Sequence, residues 1–553
     1  MPRPADSSPT PWRGVTPTSR ALEVEAAAGV PEMLDAAFGI LAGRGDGNTL
    51  ERLAVDEPAG GRRFVNDDCW WRYTDFQCHF HALHGWRPFC AEEVRRVDLG
   101  TWSAGFRDQV TTDTQRRLRE TFGVKQPPPL GWLPSSYIGD ERHFMFRSPA
   151  QYSCNVMQDS VAWAFEEDTT YPGYHLFSRV GEHDLNPDYP LLNCISATDW
   201  MLWERDARTA GEYLPRIEAF LDALAGHADE SGFYLFGPQG SQLEFSHGGQ
   251  RRQASTHLYA WKVLVNLAEV HAMLGDRERA RRFADRATEA AQRVHRFETG
   301  DRWLVSGFGA DFGTTFGTGA LDGAASGYLE VWPNVNAAVT GWWDRGQCGR
   351  LAGRFEATPA LVENHLTLVN WPARPPEELD ADHDGFPPPG THLNGGFFWM
   401  TAAGALAMYA RAGRAETLAR LEELLDDHRR HLSVDCYNDW GRDKERQFPH
   451  LPRGTHSVTC AGAPGHFFRN TLGLSVSADT LRVTPAPLPQ VDQLSLRHPV
   501  RWGGKEILVA VEGHGRVATA TLDGRPVAAD PDDGVCLSFE RLPARSRLEV
   551  SCG

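Results

Sequence analysis

Along the middle of the chain, apolar residues recur at spacings of three and four, and near its end they alternate strictly with polar ones. In GEYLPRIEAFLDALAGHA the residues Leu214, Ile217, Phe220, Leu221 and Leu224 form one stripe, the mark of a helix buried on a single face. In HLYAWKVLVNLAEVHAMLGD the stripe is broader and includes Leu258, Trp261, Leu264, Val265, Ala268 and Leu274, so this helix is expected to be covered on more than one side. The following RERARRFADRATEAAQRVHRF has a narrow stripe of Ala280, Phe283, Ala287 and Val294 and an outer face of Arg and Glu. An inner helix and an outer one therefore make a hairpin.

The alternation recurs. GGFFWMTAAGALAMYARAG, residues 395–413, is apolar nearly all round, and the AETLARLEELLDDHRRHL after it is half charged. Further helical runs are NVMQDSVAWAFEE (155–167), PLLNCISATDWMLWERD (190–206), NVNAAVTGWWDRG (334–346) and GAPGHFFRNTLG (462–473). About ten to twelve helices in pairs over residues 151–475 is the pattern expected of a closed helical toroid. Beyond 476 the period falls to two in LRVTPAP, KEILVAVEG, RVATATLDG and RLEVSC, which predicts a small antiparallel β domain of the sandwich type. Ahead of the helices, PEMLDAAFGILAG reads as a helix closed by Gly, and 61–150 is irregular and aromatic. The expected organisation is an N-terminal lead-in region at 1–150, a toroid at 151–475 and a β domain at 476–553.

Composition narrows the partners. Lys and Arg total 56 against 73 Asp and Glu, and the resulting net charge of -17 repels nucleic acid and the anionic face of a membrane. Hydrophobic residues make up 41%, enough to build a large core. No window approaches the roughly 18 to 20 apolar residues of a spanning helix, and MPRPADSSPTPWRG has no apolar run of a signal peptide, so a cytoplasmic location is expected. The ten cysteines are scattered without the spacing of a disulfide framework, in keeping with a reducing compartment. No glycine-rich phosphate loop stands between a strand and a helix, and we expect no cofactor. Cys78, His79, His81 and His84 lack zinc-ligand spacing and read as a packed cluster, so no metal is expected either.

Between the helices lie segments rich in Trp, Tyr, Asn, His and carboxylates: EEDTTYPGYHLF, GSQLEFSHGG, GYLEVWPN, HLNGGFFW and CYNDWGRDKERQFPH. Aromatic faces stack on the C–H surface of a sugar, and the polar groups ring its hydroxyls, so a carbohydrate is the expected substrate. The segment THLNGGFFWMTAAGALAMYARAGRAE (391–416) resembles the Asn-Gly-Gly helix hairpin of cellobiose-phosphorylase-type enzymes. THSVTCAGAPGHFFRNTLGLSVSADTLRVTPAPLP (455–489) is similar to their last helix and first C-terminal strand, and to the end of α-L-rhamnosidase catalytic domains; GYLEVWPNVNAAVTG (327–341) fits the preceding inner helix. The resemblance, spanning about 190–500 in order, implies a six-hairpin (α/α)6 glycosidase toroid.

It also implies roles. Such enzymes protonate the leaving oxygen with one carboxylic acid, and the hydrolases activate water with a second carboxylate on the opposite side. The loop that carries the phosphorylase acid corresponds to GSQLEFSHGGQRR, whose one carboxylate, Glu244, is the candidate acid; a helix N-terminal or hydrogen-bonding role is the alternative. For the base, the rhamnosidase-like position falls on CYNDWGRDKERQ, where Asp439 comes first and Glu445 second, each with an ion pair to Arg442 or Arg446 as the alternative; Glu330 is third. Candidate substrate contacts are Asp159, Tyr174, His247, Trp332, Asn334, Asn394, Trp399, Trp440 and His456. Because the phosphorylase acid motif is missing, inverting hydrolysis leads. Phosphorolysis remains open, as does a sugar isomerase or epimerase working through His247, His257, His392 and His456, and a silent carbohydrate-binding protein.

Overall fold

The computed structural model describes, with short gaps, residues 73–122, 128–138, 187–234, 252–308, 329–371, 399–432, 457–530 and 534–553, and isolated strands at 22–26, 54–56, 63–65, 143–145 and 315–316. Among the described residues the helices are α1 (Phe76–Leu83), α2 (Glu92–Arg107), α3 (Thr112–Phe122), α4 (Asp188–Glu204), α5 (Ala207–Ala225) and α6 (Ala254–Met273), continuing as α7 (Arg277–His295), α8 (Val331–Thr340), α9 (Arg345–Ala357), α10 (Trp399–Ala412), α11 (Thr417–Leu432) and α12 (Ser457–Thr471).

Their packing follows from their patterning. In α4 every residue but the terminal Glu204 is buried, and α8 is buried throughout, as helices without a polar face must be. By contrast α7 buries one stripe alone, namely Phe283, Ala287, Ala290 and Val294. Six helices pack in cyclic order: α1 on α4, α4 on α6, α6 on α8, α8 on α10, α10 on α12, and α12 back on α1. The amphipathic α7 lies on α6, α9 and α11 lie on α10, and α5 follows α4.

Turns from inner to outer helices are short and chemically alike. After α4, Arg205 takes the left-handed conformation at φ 55, and Asp206 caps α5 by accepting from the backbone N–H groups of Arg208 and Thr209. After α6, Gly275 at φ 81 precedes Asp276, which caps α7 through Arg279 N–H. Asp344 caps α9 in the same way through Gln347 N–H. The reverse connections, from outer helix to next inner helix, span 226–253, 296–330, 358–398 and 433–456. Long connections therefore enter the ring at the N-terminal ends of the inner helices, and short ones leave at the C-terminal ends.

The C-terminal strands are β2 (Leu474–Val476), β3 (Thr480–Val483), β4 (Val491–Leu496), β5 (Val500–Trp502), β6 (Lys505–Gly513), β7 (Val517–Leu522), β8 (Arg525–Pro526), β9 (Ala529–Asp530), β10 (Gly534–Ser538) and β11 (Arg545–Cys552). One sheet has the order β2-β3-β10-β9, and both sheets bury their alternate residues in one core with Trp203, Leu406, Phe467 and Phe468 of the helices. The second sheet departs from the expected all-antiparallel arrangement, because β6 and β11 pair in parallel. It also recruits the distant strand β1 (Leu22–Ala26), antiparallel to β4. Described segments of 1–150 are thus divided between both bodies: β1 joins the sheet, while α1 takes a place in the ring of helices. Alternation of Leu22, Val24 and Ala26 matches an edge strand, yet nothing local names its partner.

Candidate functional site

Most of the candidate residues lie in the long connections. Asp159, Tyr174, Glu244, His247, Asn394, Asp439, Trp440, Glu445 and His456 fall outside the described residues. In sequence each precedes an inner helix: Asp159 and Tyr174 precede α4, Glu244 and His247 α6, Asn394 α10, and Asp439, Trp440, Glu445 and His456 α12. Glu330 and Trp399 are placed by their backbone. Glu330 pairs with Asn370 in a two-stranded ribbon immediately ahead of α8, and Trp399 opens α10.

Trp332 and Asn334 are corrections. Trp332 is 1% exposed and has no face free for a sugar. Its ring lies 5.2 Å from that of His81, which belongs to the helix on the opposite side of the ring, and its indole N–H donates to the oxygen of Tyr259. Asn334 is spent on the backbone: its Nδ2 donates to the Leu304 carbonyl and its Oδ1 accepts from Leu304 N–H, both at 2.9 Å. It holds the segment around Leu304, after α7, against α8. Aromatic and amide residues beside Gly and Glu look alike in sequence whether they face a ligand or plug the axis.

The first turns of α4 and α6 form a polar contact that sequence reading missed. Asp188, the first residue of α4, accepts from Ser255 Oγ at 2.9 Å and from Thr256 Oγ1 at 2.5 Å, joining α4 to α6. Tyr259 lies one turn further along α6, where burial and then the Asp188 charge hold its phenol well above the usual range, so it stays neutral. The available signal was the spacing of Ser255, Tyr259, Lys262, Asn266 and Glu269, a polar stripe on a helix otherwise read as core.

A second layer lies deeper. His79, His81 and His84 are buried among aromatic rings, as their packed-cluster reading expects. Asp98 of α2 receives Arg87 Nε at 2.8 Å and His79 Nε2 at 2.9 Å. Asp199 of α4 receives Arg469 of α12 through two nitrogens, at 3.0 and 3.1 Å, together with Arg87 Nη1 at 3.1 Å. Burial alone would raise both carboxyls; the guanidinium groups and histidines beside them outweigh it and hold both below the usual range, Asp199 well below. Burial holds His81 well below its ordinary value, with His466 and His84 adding to it, and brings His466 to about 4. These imidazoles are neutral.

His257, named above for an isomerase, is 1% exposed and stacked on Tyr234 with 5.0 Å between centroids, and burial pushes it down to about 3. It is a core ring. His247, His392 and His456 lie outside the described residues. Among the described residues no group of three or more His, Cys, Asp or Glu is arranged to hold a metal ion. No helix of the described residues is long and apolar enough to cross a membrane.

No family model matches the chain, and no curated protein matches it. Among solved structures it is similar to a sialidase (13% identity, 64% of this chain and 33% of that one, TM-score 0.44). It is similar also to a GH78-family rhamnosidase of Bacillus sp. GL1 (16% identity, 60% and 32%, TM-score 0.36) and to a GH92-family glycosyl hydrolase (11% identity, 97% and 61%, TM-score 0.39). The chain spans about a third of the length of the first two. At these scores the likenesses decide neither fold nor activity.

Proposed function

We propose that the protein is a glycoside hydrolase built on an (α/α)6 toroid and acting by inversion on an oligosaccharide or a glycosylated small molecule. The observation that carries this reading is the cyclic order of six inner helices, of which α6, α8, α10 and α12 receive the long connections at their N-terminal ends. Those connections hold Glu244, Asp439 and Glu445, and Glu330 stands at the head of α8. Carboxylates that precede separate inner helices in sequence suit a reaction that needs an acid and a base on opposite faces of a sugar. The resemblance of 391–416 and 455–489 to cellobiose-phosphorylase-type and rhamnosidase-type segments supports the same architecture.

In this reading Glu244 protonates the glycosidic oxygen while Asp439 takes a proton from water attacking the anomeric carbon from the other face. Inversion requires the two carboxyl groups to stand roughly 6.5 to 9.5 Å apart, leaving room for that water. Glu330 and Glu445 are the replacements should either assignment fail. The toroid is proposed to include α1 and α2 as well as residues 151–475, with the β domain outside the catalytic pair.

A panel of aryl glycosides with and without inorganic phosphate tests this. Reducing sugar released equally in both conditions supports hydrolysis, and NMR of the first-formed anomer tests inversion. Sugar phosphate formed only with phosphate present would replace hydrolysis by phosphorolysis. No turnover on any glycoside, together with interconversion of a free monosaccharide, would overturn the glycosidase reading.

A further inference from the structure

An ion pair joins the two ends of the connection from α5 to α6. After α5 the chain makes a tight turn, in which Asp229 N–H donates to the Phe233 carbonyl at 2.8 Å and Ala228 bridges to Tyr234. Both oxygens of Asp229 are engaged. Its Oδ1 accepts from the N–H groups of Ser231 and Phe233, both at 2.9 Å, and its Oδ2 accepts from Arg252 Nε at 2.9 Å and Nη2 at 2.6 Å. Arg252 stands in the short strand directly ahead of α6, paired there with Phe308, and its side chain is 7% exposed. Charge-assisted bonds through two guanidinium nitrogens, largely out of water, fix both partners and are costly to break.

The stretch 235–251, which carries Glu244, therefore begins and ends at one ion pair. Joining the ends of a connection removes chain entropy that it would otherwise keep. The connection from α7 to α8 is built alike. There Thr299 N–H donates to the Trp303 carbonyl at 2.8 Å, Glu298 bridges to Leu304, and Leu304 is held through both backbone groups by Asn334 in the first turn of α8. In each case a tight turn after the outer helix is pinned by a residue at the head of the next inner helix. The pin ahead of α6 is an ion pair, and that on α8 is a neutral amide.

We propose that Asp229 and Arg252 are positioning residues for the general acid, holding the connection that carries Glu244 at the head of α6 so that its carboxyl meets the glycosidic oxygen. Neither residue touches the sugar in this role. The proposal rests on the glycosidase reading and on Glu244 as the acid.

Dependence on the leaving group is the test. In Arg252→Met, kcat on glycosides with poor leaving groups should fall roughly 10- to 100-fold, the scale of a small misplacement of a catalytic group. Activated aryl glycosides leave without a proton, so their kcat should change by less than about threefold. Asp229→Asn, whose Oδ1 still accepts from Ser231 and Phe233, should give the same pattern, and the double variant should lose no more than either single one, because the pair acts as a unit. An equal fall on both substrate classes, a fall that tracks a lowered Tm, or failure of both single variants to fold would make the pair merely structural and overturn the proposal. Chymotrypsin digestion read by mass spectrometry tests the pin without turnover. Cleavage within 235–251 should be several-fold faster in Arg252→Met than in wild type at unchanged Tm, and equal rates overturn the pin. Faster cleavage in a protein whose wild type turns over no glycoside would instead refute the glycosidase reading, and the catalytic role with it.

Discussion

Arg469 and Asp199 form a two-nitrogen ion pair, Nη2 to Oδ1 at 3.0 Å and Nη1 to Oδ2 at 3.1 Å, that ties the last inner helix to α4. The same Oδ2 receives Arg87 Nη1. One carboxylate thus pairs with two guanidinium groups from segments far apart in the chain, on the side of the ring where it closes, and Asp98 supplies the second charge to Arg87.

Removing that carboxylate should be severe. Asp199→Asn leaves Arg87 and Arg469 short of a charge in a site where Asp199 is 4% exposed, a loss on the order of 3 to 5 kcal/mol. Urea unfolding followed by circular dichroism measures it, and a midpoint within error of wild type would show that the ion pairs are dispensable.

Acid should unfold the protein early. The folded values of His81, His257 and His466 lie below the ordinary imidazole value, so the unfolded chain takes up protons first and stability falls as pH drops below about 6.5. Asp199, depressed in the folded state, contributes stability above the ordinary carboxylate value and loses it as pH falls through its folded value. Both signs agree, so the urea midpoint should decline steadily from pH 7 to pH 4. Replacing the stacked His257 by Phe should make that decline shallower.

The α1–α12 contact should tolerate no added atom. A Cβ on Gly462 would fall on the His81 carbonyl, so Gly462→Ala forces backbone apart where the ring closes. The cost expected for overpacking is about 1 to 3 kcal/mol or more, read as a lowered Tm. An unchanged Tm would mean that this closure is loose.

Deleting 476–553 should abolish soluble expression. The β domain donates Trp502 Nε1 to the Leu202 carbonyl at 3.2 Å and covers Trp203, Phe467 and Phe468, so truncation bares a large apolar face and orphans β1. A soluble, cooperatively folding truncate that has lost turnover alone would assign the tail to the site instead.

The proposed acid and base should differ in their dependence on the leaving group. Glu244→Gln should lose most turnover on poor leaving groups and retain it on activated aryl glycosides, because only protonation of the leaving oxygen is removed. Asp439→Asn should lose both, since water must be activated in either case. Parent-rate cleavage of an unactivated glycoside by Glu244→Gln would transfer the acid role to another carboxylate.

Local sequence marked several of the central helices and their inner or outer rank, while the helical readings of 32–43 and 155–167 fall outside the described residues. Apolar spacing marked α5, α6 and α7, because periodicity depends on residues within a turn or two of one another. Tertiary structure decided what each inward side chain meets. Trp332 has the composition of a sugar platform and is buried against His81; Asp188 and Ser255 carry no motif and meet at the head of two helices. The strand at Leu22–Ala26 and the first ring helix both come from a region with no assignable pattern, and each acquires its role only from a partner hundreds of residues away. Short-range preference selects a helix or a strand, but closure of the ring brings together residues whose mutual burial and charge no local pattern encodes.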